Sequence, residues 1–206
     1  MNKIIFWNVD TQVDFILPEG KLYIKGAEKI LPNLKLLTNY ARKNEIKIVN
    51  TRDFHSISDK EISNTPDFVN TFPQHCISGT TGSMFVKETR PTVYAVVGDR
   101  TIDKKYIIDD YDIVIFKNEF NVFTGNKFTN DVLKILLPNT IVVYGVATNV
   151  CVDFAVKGLA KCANQVLVVK DAIKELPNLP VNKIFEEWEK LGNVKLVTVK
   201  KIIGGK

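Results

Sequence analysis

Seven short runs of apolar, largely β-branched residues recur along the chain: KIIFWNV from residue 3, IKIVNT from 46, TVYAVV from 92, DIVIFK from 112, TIVVYG from 140, QVLVVK from 165 and VKLVTV from 194. Each is apolar almost continuously rather than at alternate positions, the pattern of strands covered on both faces. Segments of helical spacing separate several of them. Ile30, Leu34, Leu37 and Ala41 share one helical face, as do Val132, Ile135 and Leu136. The stretch from Cys151 to Ala163 and NKIFEEWEKLG from residue 182 also read as helices, the second closing at Gly192. Strands alternating with helices build βαβ units. The expected fold class is therefore α/β, a three-layer α/β/α arrangement around a mostly parallel central sheet.

No repeat, low-complexity tract or linker divides the 206 residues, so residues 1–206 are read as one domain. Residues 53–92 break the rhythm: they are polar, rich in proline, serine and threonine, and carry no periodicity. An irregular insertion of that length in a compact domain is usually functional. A content of 45% hydrophobic and 25% charged residues is ordinary for a globular protein. The net charge of +5 comes from scattered lysines with no basic stripe, which argues against nucleic acid as a partner. No apolar run is long enough to span a bilayer, and MNKIIFWNVD lacks the apolar core of a signal peptide. Three cysteines without framework spacing argue against a disulfide-stapled exterior protein. The expectation is a cytoplasmic protein that engages neither membrane nor nucleic acid.

In open α/β sheets the ligand site lies beyond the carboxyl ends of the strands. That rule singles out Asp10, the segment from Asp53, Lys117 and Cys151, each following an expected strand. Taken alone, each has an ordinary reading: an aspartate helix cap, a solvated strand-end lysine, a buried cysteine. Together they make a charge-balanced nucleophilic site. Asp10 can carry a proton, Lys117 can lower the pKa of a neighbouring thiol, and Cys151 at a helix start can attack. Cys76 and Cys162 are expected to be buried for packing. The two histidines, His55 and His75, both fall in the insertion, with Glu61 and Asp67 between them. Asp53 and His55, two residues apart at a strand end, can face one point. Two imidazoles with one or two carboxylates suit Zn²⁺, Mn²⁺ or Fe²⁺.

DTQVDF, DFH, FPQHCISGT, the lysine closing DIVIFK, and GVATNVCV follow one another in a fixed order. Between about residue 4 and about residue 170 this series resembles the nicotinamidases of the isochorismatase-like cysteine hydrolases. The resemblance implies a catalytic triad of Asp10, Lys117 and Cys151. It implies one divalent metal ion held by Asp53, His55 and His75, with Glu61 matching the remaining ligand and Asp67 in reserve. It also implies a cis peptide between Val146 and Ala147, an oxyanion hole from the Ala147 and Cys151 amides, and a pyridine pocket lined by Phe15, Phe72 and Phe123. The implied activity is hydrolysis of nicotinamide, with pyrazinamide as an analogue, through a cysteine thioester in NAD salvage. Relatives often form homo-oligomers. Asn149 and Phe72 depart from residues common in relatives, aspartate and tryptophan, which leaves pocket shape and substrate preference open. The alternatives are another amidohydrolase of the superfamily, acting on a carbamoyl or maleamate-type amide, and a non-catalytic α/β binding protein.

Overall fold

In the computed structural model, which describes residues 3–100, 103–109, 111–177 and 180–204, each of the seven apolar runs forms a strand. In chain order the elements are β1 (Ile4–Val9), α1 (Val13–Ile16), α2 (Leu31–Lys43), β2 (Ile48–Asp53), β3 (Tyr94–Val97), α3 (Lys104–Ile108), β4 (Asp112–Lys117), α4 (Val122–Gly125), α5 (Thr129–Leu136), β5 (Thr140–Val146), α6 (Cys151–Leu159), β6 (Gln165–Lys174), α7 (Asn182–Lys190), β7 (Val194–Val197) and α8 (Val199–Ile202). The strands lie in the order β3-β4-β2-β1-β5-β6-β7, and every neighbouring pair is parallel. β1 has β2 on one side and β5 on the other, so the winding reverses there. A doubly wound sheet opens its ligand crevice at such a reversal.

The continuous apolar runs have the expected cause. Successive side chains point to opposite faces of a strand, and both faces are covered along β1, β2, β4 and β5, whereas the edge strand β3 leaves Tyr94 and Val96 exposed. Ile5, Trp7 and Val9 of β1 join Ile141 and Val143 of β5 in one core, under α5, α6 and α7. Phe6 joins Val142, Tyr144 and Val146 in the other, under α2 and α8. Leu34, Leu37 and Ala41, the expected inner stripe of α2, are fully buried. Each such aliphatic side chain contributes roughly 1.5–3 kcal/mol on burial. Pro32, in the first turn of α2, gives up no hydrogen bond there.

Two helix boundaries are informative. α7 ends as expected, with Gly192 at φ 78° and its N–H donating to Glu189 O at 3.2 Å. α6 ends at Leu159, short of the expected Ala163. The Cys162 N–H donates to Leu159 O at 2.9 Å in a turn that redirects the chain into β6. Cys162 is consequently exposed rather than part of the core, whereas Cys76 is buried. Between β2 and β3 the chain is irregular, held by isolated bridges between His55 and Ile77 and between Ile62 and Phe72. Among the described residues, no helix is long and apolar enough to cross a membrane.

β1 and β5 approach most closely at Val9 and Gly145, which face each other in register. Gly145 adopts φ 121°, and a Cβ there would collide with the Val9 backbone, so only glycine fits. Beyond it the Val146–Ala147 peptide is cis, and α6 starts at Cys151.

Candidate active site

Four neighbouring strands deliver the chemistry-bearing residues to one edge of the sheet. Lys117 ends β4, Asp53 ends β2, Asp10 follows β1, and Cys151 opens the helix after β5. Adjacent strands stand about 4.8 Å apart, so side chains from consecutive ends can meet. Lys117 Nζ lies 2.9 Å from Asp10 Oδ2 and 3.6 Å from Cys151 Sγ, and it also pairs with Asp53 Oδ1. Asp10, Asp53, Lys117 and Cys151 are all buried. Two carboxylates around one ammonium account for the charge of this group.

Burial acts on each member. It pushes Asp10 upward; Lys117 and the Thr51 hydroxyl, which donates to Asp10 Oδ1 at 2.6 Å, hold it back. Burial opposes the charge on Lys117 as well, but Asp10 and Asp53 beside it keep the ammonium well above its ordinary range. For Cys151 burial dominates and raises the thiol well above its usual value, with Lys117 working against it. Lys117 lowers the thiol as expected, but burial outweighs it. Burial favours the thiol over the thiolate, beside a carboxylate able to receive its proton.

The second cluster shares Asp53. His55 Nε2 and His75 Nε2 each stand 3.9 Å from Asp53 Oδ2, and the three residues place their ligand atoms within 4.8 Å of one another. His75 Nδ1 donates to Pro73 O at 2.7 Å, and His55 Nδ1 faces Asp59 Oδ2 at 3.2 Å. Partners on both Nδ1 atoms orient the Nε2 atoms inward, as metal-ligating histidines are commonly held. Glu61 Oε2 lies 3.8 Å from His55 Nε2, outside the mutual cluster of three. His55 Nε2 and Glu61 Oε2 are both buried without a hydrogen-bond partner. Such orphaned atoms are costly unless a ligand satisfies them. The donor set fits a divalent ion with mixed nitrogen and oxygen ligands.

Burial and charge compete in this cluster: burial lowers His55, but Asp53 and Glu61 outweigh it and hold the ring above its ordinary value. Burial opposes ionisation of Asp53, but Lys117 and then His55 outweigh it and hold the carboxyl below its usual range. Burial and the Asp53 charge push Glu61 up to about 7. Burial lowers His75, favouring the neutral ring that binds metal. Asp67 is elsewhere: its Oδ1 accepts the Val69, Asn70 and Thr71 amides in an exposed turn.

One cavity joins the two clusters. Asp53 and His75 border one side of it and Ala147 and Cys151 another, with walls from Phe15, Leu22, Phe72, Phe120 and Leu176. Phe15 and Phe72, which the resemblance implies as pocket residues, border this cavity. Phe123 does not: its ring fills the space beside Gly158 of α6 and packs with the core. The Asn121 side chain accepts the Phe123 N–H at 3.0 Å and starts α4, and that one-turn helix directs the ring inward. Phe120, three residues earlier, supplies the wall instead. Among the described residues, no backbone acceptor outside the helices and strands takes the Ala147 or Cys151 amide N–H, and both residues border the cavity.

Gln12, Asp14 and Glu61 brace the two clusters, and of these Glu61 was expected as a metal ligand. The Gln12 carboxamide accepts the Asp53 N–H at 2.7 Å and donates to Asp53 O at 2.8 Å, fixing that residue's backbone. Asp14 Oδ2 accepts the Cys76 N–H at 2.7 Å, pinning the segment that carries His75. Glu61 Oε1 accepts the Phe120 N–H at 2.7 Å, linking the metal cluster to the cavity wall. Gln12 and Asp14 lie in DTQVDF directly after β1, and Glu61 lies between the two histidines of the insertion.

The chain is similar to proteins already known. The chain is 26% identical to a nicotinamidase of Saccharomyces cerevisiae over 218 aligned positions, covering 92% of this chain and 96% of that one. Its fold matches the pyrazinamidase of Pyrococcus horikoshii, solved in complex with zinc, with a TM-score of 0.73 at 22% identity over 95% of this chain and 99% of that one. It likewise matches PnC1 from L. infantum, solved in complex with nicotinate, with a TM-score of 0.75 at 20% identity over 96% and 93% of the two chains. The Isochorismatase domain model matches residues 5–198, nearly the whole length, and the chain therefore belongs to the isochorismatase family of hydrolases.

Proposed function

We propose that the protein is an amidohydrolase that converts nicotinamide to nicotinate and ammonia, a reaction that feeds NAD salvage. The observation that carries this reading is the single cavity with a thiol on one side, a histidine–carboxylate cluster on another, and aromatic rings between. A planar ring carrying one carboxamide matches that layout. The S. cerevisiae relative is named as a nicotinamidase, and the L. infantum structure holds nicotinate, the proposed product.

The steps follow from the residues. Asp10 receives the Cys151 proton as Sγ attacks the amide carbon, and Lys117 keeps Asp10 ionised in its buried place. The carbonyl oxygen becomes an oxyanion against the Ala147 and Cys151 N–H groups, an arrangement in which each donor is typically worth a few kcal/mol. Asp10 returns the proton to the leaving nitrogen, ammonia departs, and a thioester remains. Water, giving its proton to Asp10, attacks the thioester, and nicotinate leaves as Cys151 regains its proton. Asp53, His55, His75 and Glu61 would hold a divalent ion. When bound, it supplies an electrophilic contact for the ring nitrogen that anchors the pyridine.

The test is ammonia release from nicotinamide by purified protein, before chelation, after it, and with Zn²⁺, Mn²⁺ or Fe²⁺ restored. Turnover that falls on chelation and returns with metal supports the reading. Turnover confined to carbamoyl or maleamate-type amides and indifferent to chelation overturns it.

A further inference from the structure

The β5–β6 ladder is interrupted and then resumes. Val143 pairs with Val168, but Gly145 pairs with Ile173, so β6 makes an excursion before rejoining its neighbour. The rejoined chain runs past the end of β5, where the Thr148 N–H donates to Lys174 O at 2.9 Å. Two residues later Leu176 forms a wall of the cavity.

Backbone pairing cannot hold Leu176, because the β5 side has already turned, with the Val150 N–H donating to Ala147 O at 3.0 Å. A side chain does so. Asn149 Nδ2 donates to Leu176 O at 3.0 Å, and the Leu176 N–H donates to Asn149 Oδ1 at 2.9 Å. The carboxamide offers its donor and its acceptor to one residue's C=O and N–H, extending the ladder by a rung the main chain cannot supply. Asn149 sits in the same turn as Ala147 and Cys151, so the clamp ties the wall to the nucleophile-bearing segment.

We propose that Asn149 is a specificity-determining positioning residue, fixing the distance between the Leu176 wall and Cys151 and so the width of substrate the cavity admits. The substrate part of this inference rests on the amidohydrolase reading above. Asparagine supplies both the donor and the acceptor of this clamp. Aspartate keeps an acceptor for the Leu176 N–H but sets a charge against the Leu176 carbonyl, and leucine has neither group. With the clamp intact, the cavity excludes substituents on the Leu176 side. With it loosened, nicotinamide is held less well while the reacting groups stay in place.

Three readouts test this in the full chain, comparing wild type with Asn149→Leu and Asn149→Asp. Hydrogen exchange at Leu176 should accelerate at least about fivefold in Asn149→Leu, as loss of one ordinary hydrogen bond implies. Cys151 alkylation by a small and by a bulky haloacetamide reads cavity width without assuming any substrate. The preference for the small reagent should shrink by about fivefold on the same basis. KM for nicotinamide should rise by a similar factor in both variants while kcat changes less than threefold, a split that general misfolding would not give. Unchanged exchange at Leu176, or an unchanged reagent preference, overturns the proposal. Failure of the nicotinamide reading shows separately, as no ammonia release from the wild type.

Discussion

Asp53 and Lys117 occupy the same rung of the β2–β4 ladder, and their side chains form a buried ion pair. The other Asp53 oxygen faces both histidines. One carboxylate therefore belongs to two centres, the lysine of the nucleophilic group and the cluster suited to metal. This sharing makes the behaviour of the site measurable piece by piece.

Removing the thiol should abolish the chemistry and spare the fold. Cys151→Ala loses a small side chain from a helix start and should keep its thermal transition within a few degrees. Turnover should fall by about 10⁴-fold or more, the usual cost of deleting a nucleophile. Ammonia release within tenfold of wild type would exclude Cys151 from the attack.

Lys117 should matter for stability as well as rate. In Lys117→Met the buried Asp10 and Asp53 carboxylates lose their shared cation. Breaking a buried pair this way costs about 3–5 kcal/mol. Urea unfolding of the metal-free protein reads this directly, and a loss below 1 kcal/mol would mean that solvent or another group already balances the carboxylates.

The pH–rate profile should carry the mark of Asp10. Burial raises its pKa, and a base must be ionised to act, so the acid limb of kcat/KM should lie above the ordinary carboxylate range. The Thr51 hydroxyl bonds to the ionised form and lowers that pKa. Thr51→Val removes the bond, so the limb should move to higher pH while the plateau changes little. A limb that stays put or moves lower would assign it to another group.

Metal retention should depend on His55. Its Nε2 is buried without a hydrogen-bond partner and faces the Asp53 and Glu61 carboxylates, the place a shared cation would occupy. His55→Ala should retain less than a tenth of the wild-type metal in elemental analysis after dialysis, as expected for loss of one of four ligands. Metal content equal to wild type would remove His55 from the ligand set.

Phe120 and Phe123 should separate binding from stability. Phe120→Ala opens the cavity wall and should raise KM for nicotinamide with little change in the melting temperature. Phe123→Ala leaves a gap beside Gly158 and should cost roughly 1–3 kcal/mol of stability while KM is preserved. The reverse pattern would return Phe123 to the pocket.

What the sequence revealed, and what it concealed, follows from how each feature is encoded. Strands buried on both faces leave continuous apolar runs, so β1, β2, β4 and β5 were legible, and with them the edge where Asp10, Lys117 and Cys151 end up; the edge strand β3 is as apolar but partly exposed. His55 and His75 stood out because the chain has no other histidine. The pocket wall was less legible. Whether Phe120 or Phe123 faces the cavity depends on the phase of a single helical turn set by the Asn121 cap, a choice that hydrophobicity alone does not express. Gln12, Thr51 and Asn149 act through hydrogen bonds to partners far along the chain, and no periodicity records such pairs. The thiol's pKa depended on the balance between burial and one ammonium, which requires coordinates.

The residues gathered at the sheet edge come from positions 10, 53, 117 and 151, and each arrives only when its own strand has docked. No local stretch of chain can hold even two of them in place. The sheet pairs segments distant in sequence, the kind of topology that folds slowly. The centre is thus a late product of folding, and it registers whether the four middle strands are aligned. During refolding from urea, selective reactivity of Cys151 should return together with the final sheet signal rather than with early helix formation. A chain that had collapsed but not registered its strands would be compact and helical, yet inert.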